Sequence, residues 1–263
     1  MYPNRTSVLL VVVLVVLAGC AGGGASAADE QSGGAGDESA AVASEASANG
    51  VELGDPEQRL RDTGSFTVTW SYAGVGATGV ETEVTREFYA DLDGERSYTA
   101  TSSGDGGAVE QFVADGVTYT RTGDGDTATY TAYEGSADVT ATAVALSQAR
   151  AYGANDGLEF AGTETFDGVA VDRYELSAAN EALVLAGSAA AAESADEVEV
   201  TSFEYVVLVD EDGLSRHESW RFTGRTGDGA EVRGSWEYSL TAVGSTAVDD
   251  PDWLGDAKAQ SVV

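Results

Sequence analysis

Alternating hydrophobic and polar residues run through most of the chain after residue 64 and predict a β-rich fold. Within 65–73, every second residue is apolar, namely Phe66, Val68, Trp70 and Tyr72. This alternation is typical of a half-buried strand, because alternate side chains point to the same face. Further runs of this kind lie at 80–90, 95–102, 108–114, 117–121, 127–133, 158–165, 169–176, 197–209, 214–223 and 230–242. Asp-Gly dipeptides separate many of these runs, which favours antiparallel hairpins with tight turns.

Two segments break this alternation and predict helices. Residues 136–152 carry apolar residues near helical spacing, with Ser136 as a candidate N-cap and Gly153 as a stop. Residues 178–193 are rich in alanine, which favours helix, although Gly187 weakens that pattern. About ten mostly consecutive strands with two helical inserts predict an α+β fold built on a large, curved antiparallel sheet.

The predicted domain spans residues 54–256 and is long enough to bury a sizeable core. A short helical turn is expected after Asp55-Pro56, and one docked turn at Asp250–Leu254. Residues 257–263 are predicted to form a flexible tail.

The N-terminus has the pattern of a secretory signal that ends at a lipidation site. Arg5 precedes an apolar run at 8–18, which is too short to span a bilayer as a helix. The run ends in a lipobox, with Leu17, Ala18 and Gly19 directly before Cys20, which is the only cysteine in the chain. Cleavage after residue 19 would leave a thiol at the new N-terminus for lipid attachment. We therefore expect a signal peptide at 1–19 and a lipidated Cys20.

The segment after this cysteine predicts a tether. Residues 20–53 are mostly glycine, alanine, serine and acidic residues, and 21–50 have no aromatic or basic residue. Such a composition cannot bury enough apolar surface to fold. The expected location is the cell membrane, with the protein lipid-anchored on the extracytoplasmic face.

Acidic residues outnumber basic ones by 45 to 13, and the formal net charge is −32. This excess argues against a nucleic-acid partner, because phosphate binding needs a basic patch. The composition is similar to that of proteins from halophilic archaea, where molar salt screens the repulsion. We interpret the charge as solvent adaptation, with a calcium-binding acidic face as the alternative.

No residue pattern points to catalysis, a cofactor or a metal. His217 is the only histidine, and no Gly-x-Ser-x-Gly elbow accompanies it. One histidine and a cysteine reserved for lipid are a poor basis for zinc. Asp124-x-Asp126 and 210–213 lack the later glutamate of an EF-hand and are interpreted as turns. The expectation is a protein that is not an enzyme.

The order of elements resembles a known family. A lipobox, an acidic tether, a run of strands with two later helices and a closing Pro-x-Trp-Leu (251–254) are similar to uncharacterised haloarchaeal lipoproteins and to LolA/LppX-like lipoprotein carriers. The other residues that carry the resemblance are 66–72, 89–91 and the 112–119 hairpin. The resemblance implies a half-barrel sheet whose concave face is covered by two helices, with an apolar cavity between them that holds lipid.

Aromatic residues at strand positions are either sheet core or the lining of such a cavity. The candidate lining residues for an apolar ligand are Phe66, Trp70, Phe88, Phe112, Tyr119, Leu146, Leu183, Trp220 and Trp236. The expected function is a membrane-anchored lipoprotein that binds or carries a lipid or other apolar ligand. The alternative is a structural or interaction module of a cell-envelope assembly, with a protein partner that the sequence does not name.

Overall fold

The computed structural model describes residues 51, 53–104, 107–147, 149, 157–177 and 198–260. All of them belong to one compact unit, Ala46–Val263. The helices in this part of the chain are α1 (Pro56–Thr63), α2 (Val139–Leu146) and α3 (Leu254–Gln260). The strands are β1 (Ser65–Val75), β2 (Glu81–Asp91), β3 (Arg96–Ser103), β4 (Gly107–Ala114), β5 (Val117–Thr122), β6 (Thr129–Glu134), β7 (Glu159–Phe166), β8 (Val169–Leu176), β9 (Val198–Asp210), β10 (Ser215–Thr226) and β11 (Glu231–Thr241).

These strands form one open antiparallel sheet in the order β6-β5-β4-β3-β2-β1-β11-β10-β9-β8-β7. The chain starts in the middle of the sheet, winds to one edge, crosses to the other edge and returns to the middle. There β1 and β11 pair, with Val68 opposite Leu240 and Trp70 opposite Tyr238. The predicted α+β class with one large, half-barrel antiparallel sheet is confirmed. The sheet has eleven described strands, one for each alternating run in the sequence, which the prediction of about ten strands approximates.

Asp-Gly dipeptides close two of the hairpins. Asp115 and Gly116 join β4 to β5 with φ of 54° and 73°, and Asp167 and Gly168 join β7 to β8 with φ of 49° and 77°. Positive φ at both central residues is the type I′ geometry, whose twist matches that of the flanking strands. The dipeptides therefore set the register of these hairpins, as the sequence predicts.

Helix α1 is capped at both ends. The Asp55 carboxylate accepts a hydrogen bond from the Gln58 amide at 3.2 Å, and Pro56 occupies the first turn. Gly64 ends the helix with φ of 74°, a conformation that glycine adopts without steric cost.

Helix α2 is shorter than predicted and has a different cap. Asp138, not Ser136, precedes its first residue, and its carboxylate accepts hydrogen bonds from the Thr140 and Ala141 amides, both at 3.0 Å. The helix ends at Leu146, and of the predicted residues 148–152 the structure describes only Ala149, which is again helical. The predicted stop Gly153 and the predicted helix at 178–193 lie outside the described residues.

Both faces of the sheet carry apolar residues. The first face, on which Phe66, Val68, Trp220 and Trp236 lie, packs against α1 and α2 and forms the larger core. Val51 and Leu53 also pack there, so packed structure begins before the predicted boundary at 54. On the opposite face α3 covers a smaller cluster. Ala257 is fully buried in it and the helix continues to Gln260, so the predicted tail at 257–263 begins inside a helix.

Candidate functional site

Six aromatic rings form a continuous wall on the first face of the sheet. We call this set the aromatic wall; its members are Tyr72, Tyr205, Trp220, Phe222, Trp236 and Tyr238. In register, Tyr72 lies opposite Trp236, Trp236 opposite Trp220, and Trp220 opposite Tyr205. The row therefore crosses four neighbouring strands, β1, β11, β10 and β9.

Rings of the wall contact one another both along and across the strands. The centroids of Trp220 and Trp236 lie 6.5 Å apart at an interplanar angle of 14°, and those of Trp236 and Tyr238 lie 6.4 Å apart. Tyr72 meets the Trp220 ring edge-on at 6.3 Å. Each indole is only 3% exposed. Such offset contacts stabilise beyond the area that they bury.

One glycine makes room for this arrangement. Gly234 lies on β11 opposite Phe222 of β10. It is two residues before Trp236, so both positions are on the same face of the sheet. A β-carbon at position 234 would lie 2.7 Å from Phe222 Cε1 and 3.2 Å from Trp220 Cζ3. The wall packs as it does because this position has no side chain.

Helices α1 and α2 form a roof that packs against the same core as the wall. Leu60 of α1 and Ala143 of α2 are buried in it, and Leu146 is partly buried. The two helices are joined by Arg61, whose guanidinium lies 3.0 Å from Glu57 and 3.2 Å from Asp138. The side chains of α2 are mostly small, since its sequence is Val-Thr-Ala-Thr-Ala-Val-Ala-Leu.

A buried carboxylate connects this roof to the sheet. Glu218 of β10 is fully buried and in phase with Trp220. It accepts hydrogen bonds from the hydroxyls of Ser147, at the end of α2, at 2.5 Å and of Ser215 at 2.7 Å. The Tyr205 hydroxyl donates to it at 3.4 Å. Burial raises the pKa of the Tyr238 phenol, and the charge of Glu218 raises it further.

A second charged side chain lies on the apolar face. Arg86 of β2 is opposite Trp70 on β1 and Thr101 on β3, in phase with Val84 and Phe88. Burial lowers the pKa of its guanidinium. Sequence analysis missed both Glu218 and Arg86. The available signal was a charged residue in phase with apolar ones, Glu218 with Trp220 and Arg86 with Phe88.

The structure divides the predicted lining residues between the two faces. Six lie in the first core, namely Phe66, Trp70, Phe88, Leu146, Trp220 and Trp236. Phe112 and Tyr119 do not join them. Both point to the opposite face, where they pack in the cluster that includes Trp253. Their assignment to the same lining is therefore wrong. The aromatic residues of β4 and β5 lie on the face of the sheet that α3 covers. Leu183 and the lipobox Leu17–Cys20 lie outside the described residues.

The cluster under α3 contains charged as well as apolar groups. Lys258 Nζ lies 5.8 Å from the centroid of Tyr119, and the Arg96 guanidinium lies 5.1 Å from that of Phe112. Nearby, Arg121 forms an ion pair with Glu110. The Lys258 contact joins α3 to β5, and the two arginine contacts link β3, β4 and β5 within the sheet.

The His217 side chain also lies on this opposite face of the sheet, because it alternates on β10 with Glu218 and Trp220 of the first face. Its Nδ1 is 3.0 Å from Ser239 Oγ, and its ring packs on Phe166 at 5.4 Å. Burial lowers the pKa of the imidazole. Among the residues that the structure describes, no carboxylate hydrogen-bonds the ring, so the third member of a catalytic triad is absent from that set.

The acidic loops have the geometry of turns. Asp210 accepts hydrogen bonds from the Asp212 and Leu214 amides, both at 3.0 Å, and pairs with Arg216 at 3.3 Å. Within the described ranges no group of three or more histidine, cysteine or acidic side chains could hold a metal ion. No described helix has the length and apolar character needed to cross a membrane.

Comparison with known proteins identifies the family of the chain. No match to a curated protein is found. The chain is similar to LprF from Mycobacterium bovis, with 14% identity over 75% of this chain and 96% of LprF, at a TM-score of 0.32. It is also similar to a LolA superfamily protein from Nitrosomonas europaea, with 10% identity over 76% of this chain and 96% of that protein, at a TM-score of 0.21. The model of one family matches residues 5–257, and the chain therefore belongs to the family of unknown function DUF7537.

Proposed function

We propose that the protein is a lipid-anchored, extracytoplasmic binding protein that holds a lipid or another apolar ligand between the aromatic wall and its roof. The observation that carries this proposal is the wall itself. Six contiguous rings on the central strands form a broad, buried apolar surface, and the side chains that α2 contributes to the same core are small. Ligand sites in proteins are mostly apolar surfaces of this kind with a few polar groups.

The polar groups at the wall suit a ligand with oxygen atoms. The indole N–H groups of Trp220 and Trp236 are buried, and neither meets an acceptor among the described residues. A buried indole N–H normally has a partner. The ester or hydroxyl oxygens of a lipid would supply acceptors, and its chains would cover the rings.

Lipid binding is tested on the full chain purified in molar salt. We expect organic extraction followed by mass spectrometry to yield a bound lipid in a fixed ratio to protein. A Trp236→Leu variant removes one ring and one N–H of the wall and should lose most of that lipid. Protein that carries no lipid and binds none when offered would overturn the proposal and favour a structural module of the envelope.

Trp253 provides the matched control for this experiment. It is also a buried tryptophan whose indole N–H meets no described acceptor, but it lies in the cluster under α3. Trp253→Leu therefore removes the same groups from the opposite face. Equal loss of lipid in both variants would indicate general destabilisation, and the ligand would not then be assigned to the wall.

The location of the protein is part of the proposal and has its own test. It rests on the signal pattern at 1–19, the lipobox residues before Cys20 and the tether composition of 20–53. Expression in a halophilic host should give a membrane-bound protein accessible from outside the cell. Cys20→Ser should release it into the medium. Membrane association that persists in this variant would contradict anchoring through Cys20.

A further inference from the structure

Arg86 is a positively charged residue on the first face of the sheet, the apolar face that carries the aromatic wall. On the described strands from β1 to β5, the positions of this face carry aliphatic, aromatic, glycine, hydroxyl and amide residues, and Arg86 alone is charged. It lies directly across from Trp70, which packs on the core that contains the aromatic wall. An arginine at this position therefore meets the edge of a large apolar surface.

No described residue neutralises this cation. Arg86 forms no ion pair or hydrogen bond with the described part of the chain, and its Nε is buried. The chain has 45 acidic residues against 13 basic ones. Eight arginines, by contrast, have carboxylate partners within 4.0 Å: Arg59, Arg61, Arg96, Arg121, Arg173, Arg216, Arg221 and Arg233.

Two described acidic residues, one next to Arg86 in sequence and one on the same face, are directed elsewhere. Glu87, the next residue on β2, lies on the opposite face of the sheet, where its carboxylate accepts a hydrogen bond from the Tyr89 hydroxyl. Glu218 shares the face, but the register places it three strands away, beyond Tyr238 and Trp70. At a strand spacing of about 4.8 Å this separation is about 14 Å, which is too far for a direct ion pair. Glu218 is also held by three hydroxyls.

We propose that Arg86 binds the ionised head group of a lipid whose hydrocarbon chain lies along the aromatic wall. This inference rests on the proposed function and adds the class of ligand, an anionic lipid with a carboxylate or phosphate head. A guanidinium presents a planar fork of N–H donors that matches either oxyanion. Partial burial strengthens such a contact and protects it from screening by salt.

The test compares two probes that have the same chain and differ in head charge. Oleate carries a carboxylate, and oleyl alcohol carries an uncharged hydroxyl. Binding of each probe to the full chain in molar KCl can be followed by tryptophan fluorescence, since two of the four tryptophans lie in the wall. We expect the wild-type protein to prefer oleate by about tenfold or more, the size of a charge-assisted hydrogen bond.

Arg86→Met should abolish that preference and leave the affinity for oleyl alcohol unchanged or higher. Arg86→Lys should restore part of it. Arg225→Met is the matched control, because Arg225 is exposed and has no ion pair in the described part of the chain. It makes the same change in net charge and should leave the preference intact.

The outcomes separate the two proposals. Binding of neither probe to the wild-type protein would overturn the proposed function. Binding of both with equal affinity, or an unchanged preference in Arg86→Met, would overturn the role of Arg86 and leave apolar ligand binding in place. Circular dichroism of each variant verifies the fold, and a buried methionine is compatible with this apolar face.

Discussion

Gly234→Ala should destabilise the domain, although the same change is usually favourable in a strand. The added β-carbon would lie 2.7 Å from Phe222 Cε1 and 3.2 Å from Trp220 Cζ3. Ordinary contact begins near 3.4 Å, so the Phe222 ring would have to move by about 0.7 Å. That ring is buried against Trp220 at a centroid distance of 5.9 Å, so its displacement would disturb the whole wall.

The magnitude follows from two opposing effects. Overpacking a buried site costs about 1–3 kcal/mol, while the lower entropy of the unfolded chain gives back about 0.4–1 kcal/mol. The two ranges leave a net loss of about 0–2.6 kcal/mol, and their mid-range values give an expected loss of about 1.3 kcal/mol in the free energy of unfolding. For a domain of this size the melting temperature should fall by roughly 2–8 °C. Urea titration and thermal melting in molar salt measure both quantities.

Gly227→Ala is the control. Gly227 lies in the turn between β10 and β11, has no atom within 4 Å of an added β-carbon and has no positive φ. Alanine there should be neutral or stabilising by up to about 1 kcal/mol. If Gly234→Ala is as stable as Gly227→Ala, the rings of the wall move freely and our description of a closely packed wall is refuted.

Three further predictions concern the roof and the opposite face. Glu218→Gln places an amide where three hydroxyls donate, and should cost about 1–3 kcal/mol in urea unfolding; Glu204→Gln, an exposed change on β9, should cost little. Asp138→Ala removes the cap of α2 and should cost about 1 kcal/mol at pH 7. The hydrogen bond from the Ala141 amide is the main cause that lowers the pKa of Asp138, so the difference from wild type should shrink as the pH falls below about 4; a difference that persists at pH 2 would contradict this cause. Burial lowers the pKa of His217, the only histidine, so its NMR titration should have a midpoint below 6.5; neutral His217 favours the folded state, and that contribution is lost as acid protonates the ring. A midpoint at or above 6.5 would contradict the described burial.

The strands and their turns could be predicted from local sequence because each depends on neighbouring residues. Alternation in Phe66–Tyr72 and the Asp-Gly turn at 115–116 need no information from elsewhere in the chain. The start of α2 was predicted two residues too early, at Ser136, although Asp138 is an equally good cap residue. Asp138 is the observed cap, because its carboxylate accepts from two amides at once.

The composition of the site could not be predicted, because it depends on which face each strand presents to which helix. Phe112 and Tyr119 alternate as Phe66 does, yet their face is covered by α3. When both faces of a sheet are covered, apolar residues can occupy either the odd or the even positions of a strand. The sequence does not say which strand contributes to which cluster. Glu218 and Arg86 were missed for a related reason: charged residues are normally assigned to solvent, and only the register places them on the apolar face.

The pairing of β1 with β11 has a consequence for the order of folding. The strands from β1 to β6 are joined by short connections, and so are β7 with β8 and β9 with β11. The central pairing instead joins Thr67 to Thr241, across most of the domain. Contacts between residues so distant in sequence form slowly, and this one requires the last strand of the chain. We therefore expect the domain to complete its sheet only after the whole polypeptide has been synthesised. A chain truncated before β11 should retain hairpins but expose two unpaired central edges, which are prone to aggregation.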